Sequence, residues 1–193
     1  VPIVLIAGTD DPIERWDDLV DAMGQQFLVC RFDADDAAEG EAAGTITPGA
    51  RADALAAALE ASELRGPFLL LGHSLGGLTV RQFGADHGEM LGAAIMLDAT
   101  TQTALSSLHD DLTAMGWDAE ATQDEIDAPV TWPDVPLQVL THDPALLTLG
   151  TADIEDLWSE GQQQYGELTP DAIVEVVVGS GHYIDRDDPG RVL

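Results

Sequence analysis

Apolar residues fall along this chain in short continuous runs, separated by stretches with helical spacing. The runs lie at residues 2–7, 27–32, 68–72, 91–97, 137–140 and 173–178. Each has the length of a strand, and most lack polar alternation, the pattern of strands buried on both faces. Between them, Trp16, Leu19, Val20 and Met23 recur at helical spacing up to Gly24, with Pro12 placed to open the helix. A second helix is predicted over 49–64, ended by Arg65-Gly66-Pro67. Others are predicted over 75–87 and over 153–165, with Asp188-Pro189 opening a last one. Residues 33–48 are small and acidic with no apolar period, and read as a surface loop. Residues 101–133 scatter Leu105, Leu108, Leu112, Met115, Trp117 and Trp132 among many acids, and read as one or two short helices in a cap. Met115, Trp117 and Trp132 could line an apolar pocket there or pack the cap onto the core. Strands alternating with helices predict an α/β fold. A single domain spanning 1–193 would hold a mostly parallel sheet of about six strands, flanked by helices on both faces. Ligands in such sheets gather at the C-terminal strand ends.

Charge changes the picture of the surface. The chain carries 36 Asp+Glu against 7 basic residues, all arginine, for a net charge of -29. Such a surface repels nucleic acid and anionic membranes and disfavours anionic substrates at long range, leaving a small neutral molecule as the expected partner. A folded core under an acidic coat fits life in high salt, where screening reduces self-repulsion. No apolar run approaches the length of a membrane helix and no signal-peptide pattern is present, so a cytoplasmic location is expected. The chain enters a strand at once and stops as a helix begins, and both ends are expected to be trimmed from a longer parent. Cys30 is alone in an apolar run and reads as a buried packing thiol. No Cys/His spacing suggests a zinc site, and no cofactor or metal is expected.

The candidate chemistry sits at 68–81, where a strand runs into Gly72-His73-Ser74-Leu75-Gly76-Gly77 and then a helix. A serine at so tight a turn is strained, and neighbours without Cβ let strand and helix pass closely. The hydroxyl is pushed out at the C-terminal sheet edge. Its proton needs a base. Of the five histidines, His182 is favoured, because it follows the last strand in a Gly-Ser-Gly-His turn. His142 is a weaker rival; His73 should point into the fold, and His87 and His109 read as surface residues. The base needs an acid to fix its tautomer. Asp98 ends the fourth strand and Asp143 follows the fifth. Asp98 is favoured, since a carboxylate at the end of an apolar run needs a partner. Backbone N–H groups of Leu75 and Thr9 are the expected oxyanion donors.

These residues resemble the α/β-hydrolase superfamily along nearly the whole chain. The likeness rests on Gly72-His73-Ser74-Leu75-Gly76-Gly77, on Ala7-Gly8-Thr9 with Trp16 downstream, and on Ser180-Gly181-His182 followed by Asp187/Asp188-Pro189. It implies Ser74 as nucleophile, His182 as base and Thr9 in the oxyanion loop. The family's acid usually follows the strand after the cap, which points to Asp143. Some branches, including many haloalkane dehalogenases, place it one strand earlier, where Asp98 lies. A serine nucleophile argues against dehalogenase and epoxide hydrolase chemistry. The chain lacks the family's usual first two strands and has a short cap. The resemblance implies a serine hydrolase of a small neutral ester, thioester or lactone. The rivals are a binding or receptor protein on the same fold, and an acyltransferase using the same triad. The acidic coat gives a first prediction: the melting temperature should rise from dilute buffer to molar NaCl, and a salt-independent value would refute adaptation to high salt.

Overall fold

A computed structural model describes residues 1–8, 11–32 and 46–193. Most of the expected acidic loop, 33–45, lies outside the described residues. The strands are β1 (Ile3–Ile6), β2 (Val29–Phe32), β3 (Phe68–His73), β4 (Leu91–Leu97), β5 (Leu137–Thr141) and β6 (Ile173–Val176). They form one parallel sheet in the order β2-β1-β3-β4-β5-β6. The helices are α1 (Asp17–Met23), α2 (Pro48–Ala61), α3 (Gly76–Asp86), α4 (Gln102–Leu105), α5 (His109–Ala114), α6 (Ala119–Asp127), α7 (Ala152–Gly166) and α8 (Ile184–Asp187). The predicted fold class, a parallel six-stranded sheet with helices on both faces, is the one observed.

The two faces follow from strand alternation. On β1, Val4 and Ile6 point to a core shared with Leu55 and Leu59 of α2 and Val80 and Phe83 of α3. Ile3 and Leu5 point the other way, against Trp16, Leu19, Met23 and Ile184. Helix starts carry their own caps. The Thr47 side chain accepts from Ala50 N at 3.2 Å, ahead of Pro48 at the first helical position.

The cap holds three short α-helices, α4 to α6, where one or two were expected. Thr101 and Asp118 each accept from a backbone N–H of the helix that follows, and Gly116 at φ 85 turns the chain between α5 and α6. Leu105, Leu112, Trp117 and Ile126 close over Leu75 and Leu78 as a third apolar cluster. Trp117 is therefore packing. Trp132 also packs, its ring filling the space a Cβ on Gly84 would need.

The sheet's edges are less apolar in effect than in sequence. β2 starts only at Val29, and Phe27 and Leu28 are 50% and 54% exposed. β6 ends at Val176, and Ile173, Val176 and Val178 are exposed. Among the described residues each edge strand has one neighbour; β2 is half-buried along its length, while both ends of β6 are exposed. Cys30, on the edge strand β2, is half-buried, which corrects the expectation of a buried thiol.

The turn from β3 into α3 is the tightest point of the fold. Ser74 takes φ 53, left-handed for a non-glycine residue. A Cβ on Gly72 would stand 2.6 Å from the Gly76 carbonyl oxygen and 2.7 Å from Val80 Cγ2. Gly76 lies on the Ile6 and Ala7 carbonyls, and Gly77 against Ala99. The obstacles are mostly backbone, which cannot yield as a flexible side chain can. Gly72→Ala should therefore destabilise the protein by about 1–3 kcal/mol, read from urea unfolding.

Candidate active site

Five of the candidate groups follow strand ends at one sheet edge. Ser74 follows β3, Asp98 follows β4, His142 and Asp143 follow β5, and His182 lies in the loop after β6. Ser74 is half-buried; Gly8 packs on it so closely that a Cβ there would sit 3.0 Å from Ser74 Cβ. The Ser74 carbonyl accepts from Gly77 N and Thr100 N, each at 2.9 Å. Leu75, at the N-terminal end of α3, has its N–H where the helix dipole is positive. Thr9 lies outside the described residues.

Asp98 is fully buried and takes φ 44. A buried carboxylate is costly unless its lone pairs are filled. Here Oδ1 accepts from Thr141 Oγ1 at 3.2 Å, His142 N at 3.1 Å and Trp158 Nε1 at 3.0 Å. Oδ2 meets His182 Nδ1 at 2.5 Å and His142 Nδ1 at 2.8 Å. Burial pushes the Asp98 carboxyl up, but the hydrogen bonds from His142 and His182 outweigh it and hold it well below the usual carboxylate range. With Nδ1 engaged, Nε2 is the His182 nitrogen left to exchange a proton.

Of the two candidate acids, only Asp98 meets His182. Asp143 ties down the loop that carries the histidine. Its carboxylate accepts from Gly179 N at 2.9 Å and Ala145 N at 3.0 Å, and its own N–H donates to the Ser180 carbonyl at 2.9 Å. Those backbone N–H groups hold the Asp143 carboxyl below its ordinary range. Asp187 takes Gly181 N at 2.7 Å, and His73 Nε2 lies 3.0 Å from the His182 carbonyl oxygen. His73 is buried as expected, and burial pulls its imidazole below the ordinary histidine range despite the nearby Asp11. Arg15 joins Asp11 at 3.1 Å to Asp185 at 2.6 Å, linking the segment after β1 to α8.

Ser74 and His182 line one cavity of about 430 Å³. Leu75, Leu108, Ala114, Met115, Leu149 and Trp158 give it mostly apolar walls, with Asp111 the one carboxylate among the described residues. Met115 therefore lines the pocket, unlike the two tryptophans. Among the described residues no hydrogen bond joins Ser74 to His182; in free enzymes such bonds often tighten only when substrate arrives. No group of three His, Cys, Asp or Glu among the described residues could hold a metal ion. No described helix is long and apolar enough to cross a membrane.

Sequence reasoning missed two residues behind the acid, Glu155 and Trp158, and weighed a third, His142, only as a rival base. His142 Nε2 meets Glu155 Oε2 at 2.5 Å, while Glu155 Oε1 accepts from Leu149 N at 2.8 Å. Trp158, besides its bond to Asp98, stands edge-on to His182 with centroids 5.7 Å apart. The signal was the buried stripe Glu155, Trp158, Gln162 and Tyr165 along α7, which puts a carboxylate on a core-facing line.

No family model and no curated protein matches the chain. Solved structures do. An N-acyl homoserine lactone degrading enzyme aligns at TM-score 0.70 and 14% identity, over 100% of this chain and 90% of its own. A thermophilic esterase from Thermogutta terrifontis aligns at TM-score 0.66 and 17% identity, over 100% of this chain and 86% of its own. A bromoperoxidase from Bacillus anthracis aligns at TM-score 0.66 and 16% identity, over 99% of this chain and 88% of its own. At these identities the likeness is one of fold.

Burial pulls His142 down, but Asp98 and Glu155 more than compensate and raise it to about 9. An unfolded imidazole titrates near 6.5. The folded state therefore holds this proton more tightly. The stabilisation is complete below about pH 6.5 and is lost as pH rises through 9, on the order of 3 kcal/mol in all. Thermal melts should fall between pH 7 and 10 more steeply for the wild type than for His142→Asn.

Proposed function

The chain has the α/β-hydrolase fold, and from that premise we propose that it is a serine hydrolase of small neutral esters, thioesters or lactones. One observation carries the reading: a strained Ser74 at the β3–α3 turn and an Asp98-bound His182 open onto the same apolar cavity. Ser74 Oγ attacks the carbonyl carbon and His182 Nε2 takes the hydroxyl proton. The proton then passes to the leaving group as the acyl-enzyme forms. Water, deprotonated by the same nitrogen, attacks the acyl carbon and releases the acid. Asp98 holds the ring in the tautomer that leaves Nε2 free and stabilises the transient imidazolium. The Leu75 N–H is aimed at the oxygen that becomes negative, and Thr9 is proposed as the second donor.

The cavity's apolar walls suit an uncharged acyl or alkyl group. Asp111 and the net charge of -29 disfavour anionic esters. Of the structures with this fold, one is named an N-acyl homoserine lactone degrading enzyme and another an esterase. A cofactor has no part in this chemistry.

The test is labelling with a fluorophosphonate, with peptide mapping, alongside hydrolysis of a p-nitrophenyl ester. Label on Ser74 is expected, and Ser74→Ala should abolish both signals. Asp98→Asn should lower kcat about 10³–10⁴-fold, by analogy with triad acids generally. Asp143→Asn should leave Ser74 reactive, because that carboxylate serves the loop. A folded protein that takes no label in molar salt would refute the reading.

A further inference from the structure

The acid of an ordinary triad is held by backbone and side-chain donors. Asp98 has such donors and faces two histidines as well: His182 Nδ1 lies 2.5 Å from Oδ2, and His142 Nδ1 lies 2.8 Å from Oδ2 and 2.9 Å from Oδ1. His142 is then met on its far side by Glu155 Oε2 at 2.5 Å. An imidazole with a carboxylate oxygen against each nitrogen can donate to both only as the doubly protonated ring. Among the described residues the charged or titratable groups facing it are Asp98 after β4, Glu155 from α7, the neighbouring Asp143, whose exposed carboxyl feels its charge, and, across Asp98, His182 from the last loop. Thr141, beside it on β5, and Trp158 from α7 add neutral donors to Asp98.

We propose that His142 and Glu155 form a positioning pair behind the acid, Glu155 holding the His142 imidazolium so that it orients Asp98 toward His182 without cancelling its charge. The proposal rests on the hydrolase reading above. Its logic is a charge count. Asp98 and Glu155 with His142 between them sum to one negative charge, what a lone triad acid presents to its base. Without Glu155, the imidazolium neutralises Asp98 and the base loses its counter-charge. Without His142, two buried carboxylates approach one another, and His182 faces excess negative charge. The raised proton affinity of His142 agrees with this arrangement. The pair touches no substrate: neither residue lines the cavity.

The experiment compares wild type, Glu155→Gln, His142→Asn and the double variant, through the acidic limb of the kcat/KM profile with a p-nitrophenyl ester. Glu155→Gln should move the limb down by about one pH unit and lower kcat about tenfold with KM unchanged. His142→Asn keeps a neutral donor near Asp98 and should move the limb up. In the double variant the charge count returns to one, and the limb should come back to within a few tenths of the wild-type position. Damage to packing cannot produce opposite shifts that cancel. Single variants that lose rate equally at every pH, or a double variant whose losses simply add, would overturn the pair. A second readout needs neither substrate nor variant: ring N–H resonances of ¹⁵N-histidine-labelled wild type. Both His142 N–H protons should persist to pH 8, and a singly protonated ring at pH 7 would overturn the pair even if esters are hydrolysed. Should no ester be turned over, the hydrolase reading falls and the spectrum alone judges how His142 is held.

Discussion

The structure depends on one buried negative charge. Asp98 has no exposed surface, and its two oxygens gather partners from β5, from α7 and from the loop after β6. These elements are far apart in sequence. A charge that deep cannot be left unsatisfied, so the same requirement that positions His182 also fixes how α7 lies against the sheet. The carboxylate is an anchor of the fold as much as a candidate part of the chemistry. Removing its charge should therefore disturb a strand end, a helix and a loop together.

A second constraint is steric. β3 and α3 can meet at so sharp an angle only because Gly72, Gly76 and Gly77 lie where backbone and Ala99 leave no room for a Cβ. The strain at Ser74 is carried by this packing. Gly8 brings the end of β1 against the serine from the other side. The loop bearing His182 is fixed differently, by carboxylates on its backbone: Asp143 takes Gly179 N and Asp187 takes Gly181 N. One wall of the site is thus set by the absence of side chains and another by charged ones.

Much of this was legible in the residues. Buried parallel strands announce themselves as unbroken apolar runs, and the serine turn by its glycines. Asp98 stood out because an acid at the end of Ile95-Met96-Leu97 is anomalous without a partner. What stayed hidden has a common physical cause. His142 was weighed only as a rival base, since a sequence shows no second carboxylate 13 residues later folding back onto it. Glu155 was lost among the many acids of an acidic chain, where one more looks like surface. The cap's three helices were underestimated because each is only 4–9 residues long, too short to display a period. At the edges, the apolar runs 27–32 and 173–178 extend past the observed strands, and the exposure of Phe27, Leu28 and Val178 shows that position in the sheet, not composition, decides cover.

The open β6 edge has a consequence for the protein in solution. Ile173 and Val176 stand exposed on a strand with one free side, next to the exposed Val178. Local charge there is light: Glu175 lies on the strand but is paired with Arg191 at 2.9 Å. What keeps two such edges apart is then the long-range repulsion of the whole acidic molecule. Ionic strength acts on that repulsion twice. Within a molecule, screening eases crowding among acids and favours the compact state; between molecules, it removes the barrier that guards the edge. Conformational and colloidal stability therefore respond to salt with opposite sign, and concentrated, high-salt solutions are where self-association through β6 would be met first.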